Sequence, residues 1–237
     1  MKKVIAKNKK GKLIVIDGTD GSGKATQVAL LEKRLKKEGK KVKVVDFPEY
    51  YKNFFGGFIA HCLQEKYYNW TNIHPKIASI AYAADRWESS KEINVWLVKG
   101  YIVLANRYVS SNQIHQGGKI HDTKKRKEFL EWLDIMEYSV FNIPRPDVVF
   151  YLSLPIPVTQ KLIKAREKTG IKRAYLRRKT DLVEYDLKYL ENSRKSAIKL
   201  IKELNNFIEI KCAPKKDILS REVIHEMVYK EVKKVLK

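Results

Sequence analysis

Cysteine is almost missing from this chain, which holds only Cys62 and Cys212 among its 237 residues. They stand far apart, with no C-x-x-C spacing and no histidine cluster beside them. That excludes a disulfide framework and a thiolate zinc site. Both read as small hydrophobic residues in a reducing compartment. Long apolar runs are missing too. No stretch approaches the about 18 apolar residues that span a bilayer. The basic start, Met1-Lys2-Lys3 through Lys9-Lys10, leads into an apolar segment too short for a signal peptide. The expectation is a cytoplasmic protein with no membrane partner. Acidic residues are scarce: 27 Asp and Glu face 49 Lys and Arg, a net charge of +22. Such a field draws in polyphosphates or nucleic acid. Yet the lysines are spread along the whole chain, and a Lys-rich surface also arises from heat adaptation or genome bias. Nucleic-acid binding is compatible with the charge but is not predicted from it.

What is present is a repeating alternation of strand and helix. Leu13 to Ile16 is a short continuous apolar run, the pattern of a strand covered on both faces. From Lys24 the period changes to helical, with Val28, Leu31 and Leu35 on one side and Gly39 at the C-terminal stop. Further strands are expected at Val42–Val45, Tyr101–Leu104, Asp147–Leu152 and Phe207–Ile210. Helices are expected over 58–66, 76–98, 124–141, 157–167, 186–204 and 220–236. Alternation of this kind predicts an α/β fold of three layers, a five-stranded parallel sheet between helices. The whole chain, 1–237, reads as one domain, and the Lys- and Arg-rich segment 168–181 within it reads as a short mobile lid.

One motif carries chemistry by itself. Gly18-Thr19-Asp20-Gly21-Ser22-Gly23-Lys24 matches G-x-x-x-x-G-K between a strand and a helix. Glycines let the backbone curl until its N–H groups face phosphate oxygens. The helix N-terminus adds partial positive charge, and Lys24 reaches the outer phosphates. Residues Gly18, Asp20, Gly21, Ser22, Gly23, Lys24, Ala25 and Thr26 are therefore the expected ATP-binding loop of a P-loop NTPase fold. Ala25 departs from the motif, which has Ser or Thr there to ligate Mg²⁺, and Thr26 points about a quarter-turn away on a helix. Mg²⁺ must then be held by phosphates, water and other groups.

Taken together, GTDGSGKATQ, DFPEY, AYAADRWE, NRYVSSN and RPDVVFYL resemble the thymidylate kinase family of nucleoside monophosphate kinases over roughly residues 12–212. The resemblance implies transfer of the γ-phosphoryl group of ATP to dTMP with Mg²⁺, and a homodimer. It implies that Asp20 holds the acceptor sugar, that Tyr82 stacks on the base, and that Arg86 and Asn112 read the base edge. It implies that Arg107 grips the acceptor phosphate, and that His115 falls where some members place a tyrosine under the deoxyribose. Phe47, Pro48, Tyr50 and Ser111 complete the expected acceptor site. Spacing supports part of this independently. Tyr82 and Arg86 are four apart on a helix and share a face, and Arg107 follows a strand's C-terminal end, where ligands bind in such sheets.

Two further departures bear on mechanism. Some family members carry an arginine where this chain has Gly21, and the resemblance then shifts that role to lid arginines, here Arg173, Arg177 and Arg178, beside Lys24 and Arg107 as catalytic cations. Asn106 stands where the family signature has an aspartate that helps organise Mg²⁺, with Asp17 and Glu137 as candidate replacements. Arg194 interrupts the apolar stripe Leu187, Leu190, Ala197, Ile201, either snorkelling or facing a site. The alternatives are a kinase for another pyrimidine monophosphate or a deoxynucleoside, and a non-catalytic nucleotide- or nucleic-acid-binding relative.

Overall fold

The structure is a computed structural model that describes residues 10–64, 69, 70, 72–168, 186–215 and 217–237. Most of the expected lid, with Arg173, Arg177 and Arg178, lies outside the described residues. Five strands form one sheet: β1 (Lys12–Gly18), β2 (Val42–Asp46), β3 (Ile102–Asn106), β4 (Val148–Ser153) and β5 (Phe207–Lys211). Their order is β2-β3-β1-β4-β5, and every pair is parallel.

Alternation along β1 sorts the core into two halves. Leu13 and Val15 pack on one face with Val103, Ala105 and Tyr151. Ile14 and Ile16 pack on the other with Leu104, Phe150 and Leu152. The first half is closed by α3 (Pro75–Val98), α5 (Thr123–Asp134) and α7 (Leu187–Glu203), through residues such as Ile93, Phe129, Leu133 and Leu200. The second is closed by α1 (Lys24–Lys37) and α8 (Arg221–Val235), through Leu31, Leu35, Val228 and Val232. Each such side chain contributes about 1.5–3 kcal/mol when fully buried. Cys62 and Cys212 are buried and free. Among the described residues no helix is long and apolar enough to cross a membrane.

The helix bounds differ from expectation in two instructive places. The helix expected at 58–66 is α2, Phe54–Gln64, and it begins before Gly56-Gly57. A Cβ on Gly56 would stand 2.2 Å from the Glu49 carbonyl oxygen, so this glycine serves close packing and not a break. The expected helix 124–141 is α-helical only to Asp134 and continues as a π-helical turn, Ile135–Val140. A second π-turn, Asn112–Gln116, follows the short helix α4 (Val109–Ser111). Both π-turns carry side chains of the cleft or its support, Asn112 and His115 in one and Glu137 in the other. The remaining helix, α6 (Ile156–Lys168), follows β4.

Candidate active site

The cleft opens at the C-terminal ends of β1, β2 and β3, as the winding of a parallel sheet dictates. Its volume is about 640 Å³. The glycine loop lines one wall. Gly21 and Gly23 have φ of 79° and 86°, conformations that L side chains resist. A Cβ on Gly21 would also stand 2.8 Å from Ile163 Cγ1 and 3.1 Å from the Thr159 carbonyl oxygen, both on α6. An arginine at this position has no room unless α6 moves. Lys24 curls back over the loop, donating from Nζ to the carbonyl oxygens of Gly18 and Thr19 at 2.9 Å each. Ala25 is exposed on the cleft wall and brings no hydroxyl to it.

Arg107 is the pivot of the opposite wall. Its φ of 66° is left-handed, unusual for a non-glycine residue. Its N–H donates to the Ile16 carbonyl oxygen at 3.0 Å. Nη2 donates to Asp20 Oδ1 at 2.5 Å, and Nη1 lies 3.0 Å from His115 Nε2. The tautomer follows from the next bonds. Ser193 Oγ donates to the Tyr189 carbonyl oxygen at 2.8 Å, so it accepts from His115 Nδ1 at 3.0 Å. Nε2 is then a lone pair aimed at Arg107. The His115 ring also stacks on Tyr189, at 5.8 Å and 5°. Burial, and then the charge of Arg107, push the His115 pKa down to about 4, so the ring is neutral at physiological pH. No sequence pattern marked Ser193 or Tyr189 as part of this site.

The end of the cleft beside α3 is built on a buried ion pair. Arg86 is 2% exposed, and its Nε donates to Glu137 Oε2 at 3.0 Å, while Nη2 donates to Oε1. Burial works to lower the Arg86 pKa, and Glu137 overrides it, leaving the pKa raised. Asn112 Nδ2 donates to Glu137 Oε1 at 3.2 Å and to the Ser79 carbonyl oxygen at 3.1 Å. Tyr82 stands on the same face of α3 as Arg86, with its hydroxyl accepting from Trp70 Nε1 at 2.9 Å. Phe47, Pro48 and Tyr50 line the cleft across from them. Asp85, next to Arg86 but turned away, accepts from Glu49 N and from Asn53 Nδ2 and so anchors the loop after β2.

Both carboxylates named as metal-ligand candidates carry hydrogen bonds inside the protein. Asp17 is fully buried and accepts from Gly18 N at 2.8 Å, Ser110 Oγ at 2.5 Å and Ser111 Oγ at 2.8 Å. Glu137 is fully buried under Arg86 and Asn112. Among the described residues, no group of three His, Cys, Asp or Glu side chains is placed to hold a metal by itself. Asp46 is the carboxylate that the sequence reading missed. It lines the cleft and accepts from Asn106 Nδ2 at 2.8 Å. Burial raises its pKa, against the opposing pull of Arg107 and Lys24. Arg194 faces Glu191 at 3.8 Å, with Nε unpartnered among the described residues.

Comparison with known proteins places this geometry in a family. The family model described as thymidylate kinase matches residues 16–223. A probable thymidylate kinase of Pyrococcus abyssi is 30% identical over 226 residues, covering 94% of this chain and 97% of the relative. A thymidylate kinase of Thermosipho melanesiensis is 32% identical over 162 residues, 68% of this chain and 74% of the relative. The solved thymidylate kinase of Candida albicans superposes with a TM-score of 0.67 at 21% identity, covering 96% of this chain and 94% of the other, which shows the shared fold.

Proposed function

The chain belongs to the thymidylate kinase family, and on that premise we propose that it transfers the γ-phosphoryl group of ATP to dTMP, giving dTDP and ADP. The observation that carries the choice of base is the network of Arg86, Glu137 and Asn112. Glu137 holds Arg86 Nε and Nη2, so Nη1 is the guanidinium edge left for a ligand. Ser79 and Glu137 hold the Asn112 amide nitrogen, so its carbonyl oxygen is the group left. A donor beside an acceptor matches the O4 carbonyl and N3–H of thymine. Cytosine presents the reverse pattern, an amino donor beside a ring acceptor, and leaves both protein groups unpaired. A site built on polar groups rejects such a mismatch strongly.

The acceptor phosphate is itself the nucleophile, so transfer needs positioning and electrostatics more than a base. Arg107 binds that phosphate, and Asp20, its present partner, turns to the sugar hydroxyl. Lys24 follows the phosphoryl group as charge develops on it. Mg²⁺ accompanies ATP, and the cleft fits it: Ser22 Oγ and Asn106 Oδ1 are buried oxygens with no partner among the described residues, both on cleft-lining residues. When bound, the ion neutralises charge on the phosphates. The donor base rests against Leu162, Ile218, Leu219 and Ile224, the apolar end of the cleft. A homodimer fits the exposed side chains Ile77, Ile80, Trp87 and Val95 on α3 with Ile135 and Val140 beyond α5. Equilibrium sedimentation at the mass of two chains is the expected result, and a monomer at micromolar concentration would overturn it.

The deciding experiment is ADP release with ATP, Mg²⁺ and each monophosphate in turn. Strong turnover with dTMP, weaker with dUMP and negligible with dCMP and AMP is expected. Preference for dCMP or AMP would overturn the base assignment.

A further inference from the structure

We propose that Asp46 joins Asn106 in contacting the divalent cation that travels with the nucleotide, beside the Ser22 hydroxyl, Asp46 supplying the charge and Asn106 fixing its direction. This rests on the kinase reading above, and adds to it Asp46, which has no part in that reading.

β2 and β3 are parallel neighbours, and their register pairs Asp46 with Asn106, each the last residue of its strand. Both side chains open at the same point of the cleft. Asn106 Nδ2 donates to Asp46 Oδ1 at 2.8 Å. An amide that donates on one side presents its carbonyl oxygen on the other, and Asn106 Oδ1 has no partner among the described residues although the residue is only 9% exposed. A buried oxygen of this kind costs about 1–3 kcal/mol unless a ligand satisfies it.

Elimination points the same way. Four carboxylates lie around the phosphate end or the base end of the cleft. Asp17 is fully buried and accepts from one backbone N–H and two hydroxyls, with Arg107 Nη1 a further 3.7 Å away. Glu137 is held by Arg86 and Asn112. Asp20 is paired with Arg107 and lies 3.9 Å from Lys24 Nζ. Asp46 has Asn106 as its hydrogen-bond donor among the described residues and is open to the cleft. The P-loop offers no hydroxyl at Ala25. A hard dication keeps several waters and takes carboxylate oxygens. A carboxylate that accepts from a metal-bound water, oriented by a neighbouring amide, is the arrangement these two residues supply. In effect the negative charge stands on β2 in place of β3, one strand over and directly across the register.

The register makes a swap the natural test. We would measure Mn²⁺ binding by the loss of its free electron paramagnetic resonance signal, with a non-hydrolysable ATP analogue and no acceptor. The proteins are the wild type, Asp46→Asn, and the double variant Asp46→Asn with Asn106→Asp. Asp46→Asn is expected to weaken Mn²⁺ about tenfold, the lower end for loss of a supporting group. The double variant is expected to recover most of that loss, because the charge returns to the same junction of strands. Unchanged Mn²⁺ affinity in Asp46→Asn overturns the proposal. So does a double variant that matches the wild type in thermal stability yet binds Mn²⁺ no better than the single one. The acceptor is absent from this assay, so a failure of the dTMP assignment would show only in the turnover experiment and would leave this comparison readable.

Discussion

Replacing Glu137 by glutamine isolates what the buried ion pair does. The substitution keeps size and shape but leaves the Arg86 guanidinium, 2% exposed, without a counter-charge. Glutamine can accept from one of the two nitrogens that Glu137 now satisfies, and its own N–H₂ then faces a donor. Breaking a buried pair from one side costs about 3–5 kcal/mol. In a chain of this size each kcal/mol moves Tm by about 2–4 °C, so calorimetry should show a fall of about 6–20 °C. In either orientation of the glutamine amide Arg86 loses one of its two bonds to residue 137 and with it its fixed direction, so dTMP affinity should fall about tenfold or more in titration calorimetry. Stability and recognition are separated by the double variant Arg86→Met with Glu137→Leu. Removing both charges is often neutral or stabilising, so Tm should return toward wild type while dTMP binding stays lost. A fall under about 2 °C for the single variant, or retained dTMP affinity in the double variant, would refute the reasoning.

Three other outcomes follow from the same geometry. His115, with its pKa lowered to about 4 from 6.5, favours folding above pH 6.5 and loses that contribution as pH falls toward 4; denaturant midpoints should show the wild type losing about 3 kcal/mol relative to His115→Gln over that window, and parallel curves would refute it. Asp85 runs the opposite way, since burial pushes its pKa from 3.8 to about 6. Its contribution is present at pH 4 and lost as pH rises through 6, so the wild type should lose about 3 kcal/mol relative to Asp85→Asn between pH 4 and 7. Finally, Arg107→Gly should be more stable than Arg107→Ala by about 1 kcal/mol, because φ is 66° there, while both should lose dTMP turnover by a factor of 100 or more, as about 3 kcal/mol of charge-assisted binding predicts; equal melting temperatures would count against a strained backbone.

Much of the fold was legible because period and punctuation agreed. The β1 run and the 3.6-residue spacing of Val28, Leu31 and Leu35 bracket a glycine loop that can be read in one line of sequence. The ends of strands followed as well, and with them the place of Arg107 past β3. What stayed hidden depends on contacts between distant segments. Glu137 lies 51 residues from Arg86, and Ser193 lies 78 from His115. Hydrophobic period says which face of a helix is buried, not which buried carboxylate meets which cation. The π-turns were hidden for a related reason. They shift residues 112–116 and 135–140 out of α-helical phase, and the shift is fixed by what the side chains meet. Asp46 was missed because strand order decides its neighbour. Only once β2 and β3 are known to be adjacent does Asp46 face Asn106.

Several of the places where this chain breaks local rules lie together at the cleft. Ser22, Gln27, Asn106 and Gln116 each hold a buried polar atom with no partner among the described residues, and all four line the cleft. Gly21, Gly23 and Arg107, with their positive φ, stand on its walls. The sheet beneath is wholly buried along Leu13 to Ile16, and its strands pair in register. Unsatisfied groups and left-handed backbone each cost about 1–3 kcal/mol, and a marginally stable domain tolerates them only where something else is gained. Phosphate oxygens, a base edge and a hydrated dication would satisfy these particular donors and acceptors. A cleft that carries four such unpartnered groups beside a glycine loop is therefore an argument for a polar ligand there.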